Sequence, residues 1–265
     1  MTSPTPTGLV AVWLDYLAAD RALSPQTVAT YARTLRTLPD PETATRADVE
    51  RWWHERSRLA LTTRSNERSA VRQFYAWCVT FDYRPDDPTR RIAPVKVPKG
   101  LPRPASRDDV LRLLTTLEGP MRRAVCLGAY GGLRVAEAAS LAWADVDTEH
   151  HRMRVTGKGG KVRLVGLPPL LLDSLLPDTG GNVVTGEAAW SGAVLQQRVN
   201  RAIRNAGLDL TFHQLRHRFG TQATASGVPL LSVMRAMGHA DPSSTAIYAA
   251  TSDADLDVIA DAVTR

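Results

Sequence analysis

The stretch from Arg90 to Pro104 reads RRIAPVKVPKGLPRP, with Pro94, Pro98, Pro102 and Pro104 spaced through it. Proline lacks a backbone N–H and holds φ near −65°, so neither a helix nor a central strand carries it at that density. The stretch is an extended connector. It sets off an N-terminal domain, residues 1–92, a linker, residues 93–105, and a C-terminal domain, residues 106–265, with a tail from 250. Charge follows the same division. Residues 1–92 hold 13 Arg against 11 acidic residues, and residues 108–265 balance at 16 against 16. The short piece between them holds Lys96, Lys99, Arg103 and Arg107 and no acid. The whole chain carries +6 with a pI near 9.7, which favours a polyanionic partner.

Other classes are disfavoured. No apolar run approaches the roughly 20 residues of a membrane span, and Met1 to Gly8 lacks the basic and apolar regions of a signal peptide. Cys78 and Cys126 lie far apart in apolar helical patterns, as buried thiols do in a reducing cytoplasm. No Cys/His group has zinc-finger spacing and no carboxylate cluster suggests a metal nuclease, so neither metal nor cofactor is expected.

The N-terminal domain reads as helical. Ser24-Pro25 opens a helix with a hydroxyl cap and proline at the first position, and Val28, Tyr31, Leu35 and Leu38 follow at helical spacing. A second helix, about 63–80, gathers Val71, Phe74, Tyr75 and Cys78 on one face. Ser65, Asn66, Arg68, Ser69, Arg72 and Gln73 fall opposite, either as a solvated surface or as a face for the DNA major groove and phosphates. The C-terminal domain opens with a Ser106/Asp109 capping box. Helices are expected near 120–130, 135–141, 190–206, 212–225, 229–237 and 243–250. Residues 152–167, RMRVTGKGGKVRLVGL, form two β-rich runs around a Gly-rich turn, a hairpin. The fold class is mainly α with a small antiparallel sheet, in two domains. Tyr16, Tyr31, Tyr75, Tyr83 and Tyr130 sit in apolar patterns and are expected in the core.

Five segments of the C-terminal domain carry chemistry: GGLRVAE (131–137), GKGGK (157–161), HQLRH (213–217), MGHADP (237–242) and STAIYA (244–249). Each is short, but the ordered set resembles the tyrosine recombinase, or phage integrase, family, and SPQTVATYARTL (24–35) resembles the opening helix of its core-binding domain. The resemblance implies a two-domain clamp on duplex DNA, with a SAM-like core-binding domain and a catalytic domain. It implies that Tyr248 is the nucleophile, Arg134 and Arg216 bind the phosphate, and Lys158 protonates the leaving 5′-hydroxyl. His213 would assist deprotonation and His239 would hydrogen-bond a phosphate oxygen. Glu137 would hold Arg134, and His217 would be structural support.

The chemistry asks for these residue types. Opening a phosphodiester without a metal requires a nucleophile, positive charge on the non-bridging oxygens and an acid for the leaving oxygen. Arginine offers a rigid charged fork for phosphate, and a tyrosyl ester conserves the bond energy for religation. Arg68, Arg72, Lys96, Lys99 and Arg103 are the expected DNA contacts outside the catalytic set.

The resemblance further implies a homo-tetramer on two DNA sites, a Holliday-junction intermediate, and a bacterial or phage-encoded protein acting on nucleoid DNA. It also leaves a place for an accessory or directionality factor. Leu256, Val258, Ile259 and Val263 give the tail an apolar stripe, which would dock on a neighbouring protomer or pack on its own domain. Core-binding features begin by about Leu9, so no arm-binding domain is expected, which fits a compact integrase or a Xer-like resolvase. The competing readings are a type IB topoisomerase-like enzyme and a catalytically silent DNA-binding regulator.

Overall fold

The computed structural model describes residues 8–98, 103–175, 180–238 and 253–264, and for Lys158 and residues 253–257 the backbone alone. Lys99, His239 and Tyr248, and the helix expected at 243–250, lie outside the described residues. The chain divides into two compact units, residues 1–100 and 101–265.

The first unit is built from α1 (Leu9–Ala19), α2 (Pro25–Leu35), α3 (Arg46–Glu55) and α4 (Leu61–Thr80). Ser24 caps α2 by accepting from the Thr27 N–H at 3.3 Å, with Pro25 at the first position. Thr45 and Asp48 form a capping box on α3. Four helices of this length bury enough apolar surface only if each turns one face inward. Trp13, Leu35, Val49, Trp52, Val71, Phe74, Tyr75 and Cys78 supply that core. Trp13 stacks on Tyr31 at 5.7 Å and meets Phe74 edge-on at 5.4 Å, geometries worth roughly 0.5–1.5 kcal/mol beyond area burial. Two buried polar tips have partners: Trp52 Nε1 donates to Thr37 Oγ1 at 3.1 Å and the Tyr75 hydroxyl donates to Pro41 O at 2.8 Å. Tyr83 departs from expectation. It follows the end of α4 in a turn and is 47% exposed.

The second unit contains α5 (Arg107–Thr116), α6 (Gly119–Ala129), α7 (Val135–Ser140), β1 (Val146–Asp147), β2 (Arg152–Thr156), β3 (Val162–Gly166), α8 (Pro169–Leu175), α9 (Gly192–Asn205), α10 (Phe212–Ala225), α11 (Leu230–Met237) and α12 (Asp253–Thr264). Ala124 to Ala129 of α6 are all buried, the mark of a helix surrounded by others; α5, α7, α8, α9 and α10 pack on it. The sheet is antiparallel in the order β1-β2-β3, and Met153 pairs with Val165 and Val155 with Arg163. Gly159 and Gly160 at the β2–β3 turn have φ of +74° and +73°, which only glycine adopts freely. Asn182 braces the interior. Its amide nitrogen donates to Ala139 O and Leu141 O at 2.8 and 2.9 Å, and its oxygen accepts from Val184 N and Thr185 N. Both cysteines are buried free thiols.

In this structure α12 packs on its own unit. Ile259, Ala262 and Val263 join the core formed with α10, α11 and β3. Val258, expected in that stripe, is 53% exposed. No helix among the described residues is long and apolar enough to cross a membrane.

Candidate active site

The site is organised by one carboxylate. Glu137 lies in the first turn of α7, where its Oε2 accepts from the Arg134 backbone N–H at 2.7 Å and so caps the helix. The same carboxylate receives three guanidinium groups. Arg134 Nη1 donates to Oε1 at 2.9 Å. Arg163 grips both oxygens, Nη1 to Oε1 at 2.9 Å and Nη2 to Oε2 at 2.8 Å. Arg216 Nη1 lies 3.5 Å from Oε2. Three positive charges face one negative charge, which leaves the cluster cationic and suited to an anion with several oxygens.

The three arginines occupy different depths. Arg134 keeps 43% of its side chain exposed, and donates to Gly238 O at 2.8 Å and Met237 O at 3.4 Å. Arg216 is buried, its side chain 2% exposed, and donates to Gly132 O at 2.7 Å and Met237 O at 2.5 Å. It shares a face of α10 with Phe212 and Phe219, both in the core, which is why it sits beneath the surface. Expected at the phosphate, Arg216 here holds two backbone carbonyls. Burial first, then the charge of Arg134, lowers its guanidinium to about 10, so it remains positive at neutral pH. For Glu137, burial alone would raise the carboxyl. The Arg163 hydrogen bonds and the Arg134 N–H outweigh it, and the group lies below its ordinary value.

His213 precedes Arg216 by one helical turn and is exposed. Its ring meets that of His217 edge-on at 4.2 Å. Partial burial, followed by the charges of His217, Arg216 and Arg134, lowers its imidazole below 6.5. Lys158 lies on the β2–β3 turn, closed by Gly157 N donating to Lys161 O at 2.7 Å. The structure thus brings together Arg134, Glu137, His213, Arg216 and His217.

Sequence reasoning missed Arg163. The signal was faint: in β3 it occupies the inward phase with Val165, between the exposed Val162 and Leu164. In the first unit, Arg68 donates from Nε and Nη2 to Ile92 O at 3.1 and 2.9 Å, which draws it toward the start of the connector. Gln73 donates to the Tyr31 hydroxyl and to Ser69. Arg72 is half-buried, and Lys96 and Arg103 are exposed.

Fold and site together define a mainly helical protein with a carboxylate-anchored, phosphate-suited arginine cluster. Known proteins make this specific. The phage integrase family model matches residues 105–255, and the phage integrase N-terminal SAM-like domain matches residues 10–80. A tyrosine recombinase XerD of Xanthomonas campestris pv. campestris is 30% identical, with 89% of this chain and 85% of that protein aligned. The solved integrase of mycobacterium phage Brujita is 27% identical at a TM-score of 0.53, covering 97% of this chain and 93% of that one. A lambda integrase tetramer bound to a Holliday junction shares the fold at 17% identity and a TM-score of 0.72, covering 93% and 81%. The chain belongs to the phage integrase family and is a site-specific DNA recombinase of the tyrosine type.

Proposed function

We propose that this recombinase cleaves DNA through Tyr248, with Arg134 and Arg216 on the scissile phosphate, Lys158 as proton donor and His213 as proton acceptor. The observation that carries this reading is the convergence of Arg134 and Arg216 on Glu137, with His213 one turn from Arg216. The phenolic oxygen of Tyr248 attacks phosphorus and gives its proton to His213. The bond to the 5′ oxygen breaks, and that oxygen takes a proton from Lys158. A 3′-phosphotyrosyl ester remains, and attack by a 5′-hydroxyl reverses each transfer. His239 donates to a non-bridging oxygen. On this reading phosphate oxygens replace the carbonyls of Met237 and Gly238 as acceptors for the arginines. Removing one preorganised donor of this kind typically slows a reaction roughly 10²–10³-fold.

Residues 1–92 form the core-binding domain, with Arg68 and Arg72 toward DNA. Lys96, Lys99 and Arg103 of the linker follow the phosphates, and residues 106–265 are catalytic. Four copies assemble on two duplex sites and exchange strands through a Holliday junction in the bacterial cytoplasm. The lambda integrase whose fold this chain shares has been solved as such a tetramer, which supports the reading.

The test is a denaturing pull-down from bacteria, comparing wild type with Tyr248→Phe and sequencing the DNA that survives boiling in detergent. Wild type alone should retain DNA from one or a few sites. Scattered DNA on wild type alone would favour a topoisomerase, and equal retention by both proteins would refute the nucleophile.

A further inference from the structure

We infer that Arg163 is a positioning residue for strand cleavage, fixing the β2–β3 turn that carries Lys158 against the Arg134–Arg216 pair. The inference rests on the reading of Lys158 as the proton donor. All three nitrogens of Arg163 are engaged inside the protein: Nε donates to Ala236 O at 2.7 Å, and Nη1 and Nη2 donate to the two oxygens of Glu137. Its side chain is 13% exposed, against 43% for Arg134. Arg134 is therefore placed to touch a substrate, and Arg163 is placed to hold the parts that do. An inward arginine in a strand is costly unless it is fully paired, and here the pairing is a two-point fork.

Three segments meet on this guanidinium. The first is the neck of the turn. A Cβ built on Gly157, next to Lys158, would lie 3.5 Å from Glu137 Oε1 and 3.6 Å from Arg163 Nη1. The neck of the turn thus runs beside the ion pair, with room for about one carbon between them. The second is the start of α7, through Glu137, which also holds Arg134. The third is the end of α11. Gly238 has φ +64°, and a Cβ there would come within 2.9 Å of Arg163 Nη1. Lysine carries charge but cannot reproduce two parallel N–H donors and a third directed away from them, so it cannot fix all three segments at once.

The experiment uses the full chain on a duplex bearing a site recovered by the covalent capture described above. The scissile bond is made once with its natural 5′ oxygen and once with sulfur, which leaves as a thiolate without needing a proton. Arg163→Met, Arg163→Lys, Lys158→Ala and Arg134→Ala are compared for covalent adduct formation. A misplaced catalytic group costs about 10²-fold, and that is the loss expected for Arg163→Met on the oxygen substrate. Like Lys158→Ala, it should recover most of that loss on sulfur, while Arg134→Ala stays slow on both substrates. Arg163→Lys should fall between wild type and Arg163→Met on oxygen. Gel-shift binding and a thermal transition verify folding; if Arg163→Met does not fold, Arg163→Lys carries the same comparison. Wild-type rates on oxygen, or equal slowness on both substrates, would overturn the inference. If Lys158→Ala is not recovered by sulfur while wild type forms adducts, the fault lies in the lysine assignment, and the inference falls with it. If wild type forms no adduct, the reading of the whole site has failed.

Discussion

Glu137→Gln removes one charge and almost no volume, so it isolates what the central carboxylate contributes. Glu137 is 4% exposed, Arg163 13% and Arg216 2%. Arg134 is 43% exposed, and its share is discounted because water screens it. Removing one partner of a buried ion pair typically costs about 3–5 kcal/mol. Glutamine still accepts through one oxygen but turns an N–H₂ toward the Arg163 fork, which places the expected loss near 3 kcal/mol. For a unit of this size each kcal/mol lowers the transition by about 2–4 °C, so a fall of about 6–12 °C is expected. Calorimetry on the full chain reads the shift. The pH dependence follows from the lowered carboxyl value. The Glu137 contribution is complete above the unfolded value and is lost as pH falls through the folded one. Because the folded value lies below the ordinary 4.5, the gap between wild type and Glu137→Gln should stay constant at neutral pH and close only below pH 4.5. A gap under about 1 kcal/mol, typical of a surface pair, or one that closes well above pH 4.5, refutes the argument.

For His213, burial and the neighbouring charges of His217, Arg216 and Arg134 favour the neutral ring. Its NMR titration midpoint and the acid limb of adduct formation should both lie below 6.5; a midpoint at or above 6.5 would count against that environment. Asn182→Ala strands the carbonyls of Ala139 and Leu141 and the N–H groups of Val184 and Thr185. It should cost roughly 3 kcal/mol in urea unfolding, and a cost below about 1 kcal/mol would mean that water replaces the amide there.

Legibility in the sequence followed the reach of each interaction. Local signals were readable: the Ser24-Pro25 start, the Ser106/Asp109 box and the Gly-rich turn all depend on residues a few positions apart. Helix α4 begins at Leu61 rather than near 63, because Ala60 gives no capping signal. Arg134, Glu137, His213 and Arg216 stood out as ordered motifs, and the structure gathers them. Arg163 did not, because one more basic residue in a hairpin rich in Lys and Arg reads as surface until the strand register turns it inward. The burial of Arg216 was also hidden. Only its alignment with Phe212 and Phe219 along α10 foretold it. Long-range pairing decided both cases, and spacing within a motif carries no record of it.

The acceptors that hold Arg134 lie 103 and 104 positions further along the chain, and the carbonyl that Arg216 grips at Gly132 lies 84 positions before it. Chains emerge from the ribosome N-terminus first, and contacts across such separations close late because the loop entropy must be overcome first. A nascent or truncated chain that lacks residues 236–238 therefore lacks the carbonyls that Arg134, Arg163 and Arg216 grip there, however well its earlier helices have folded.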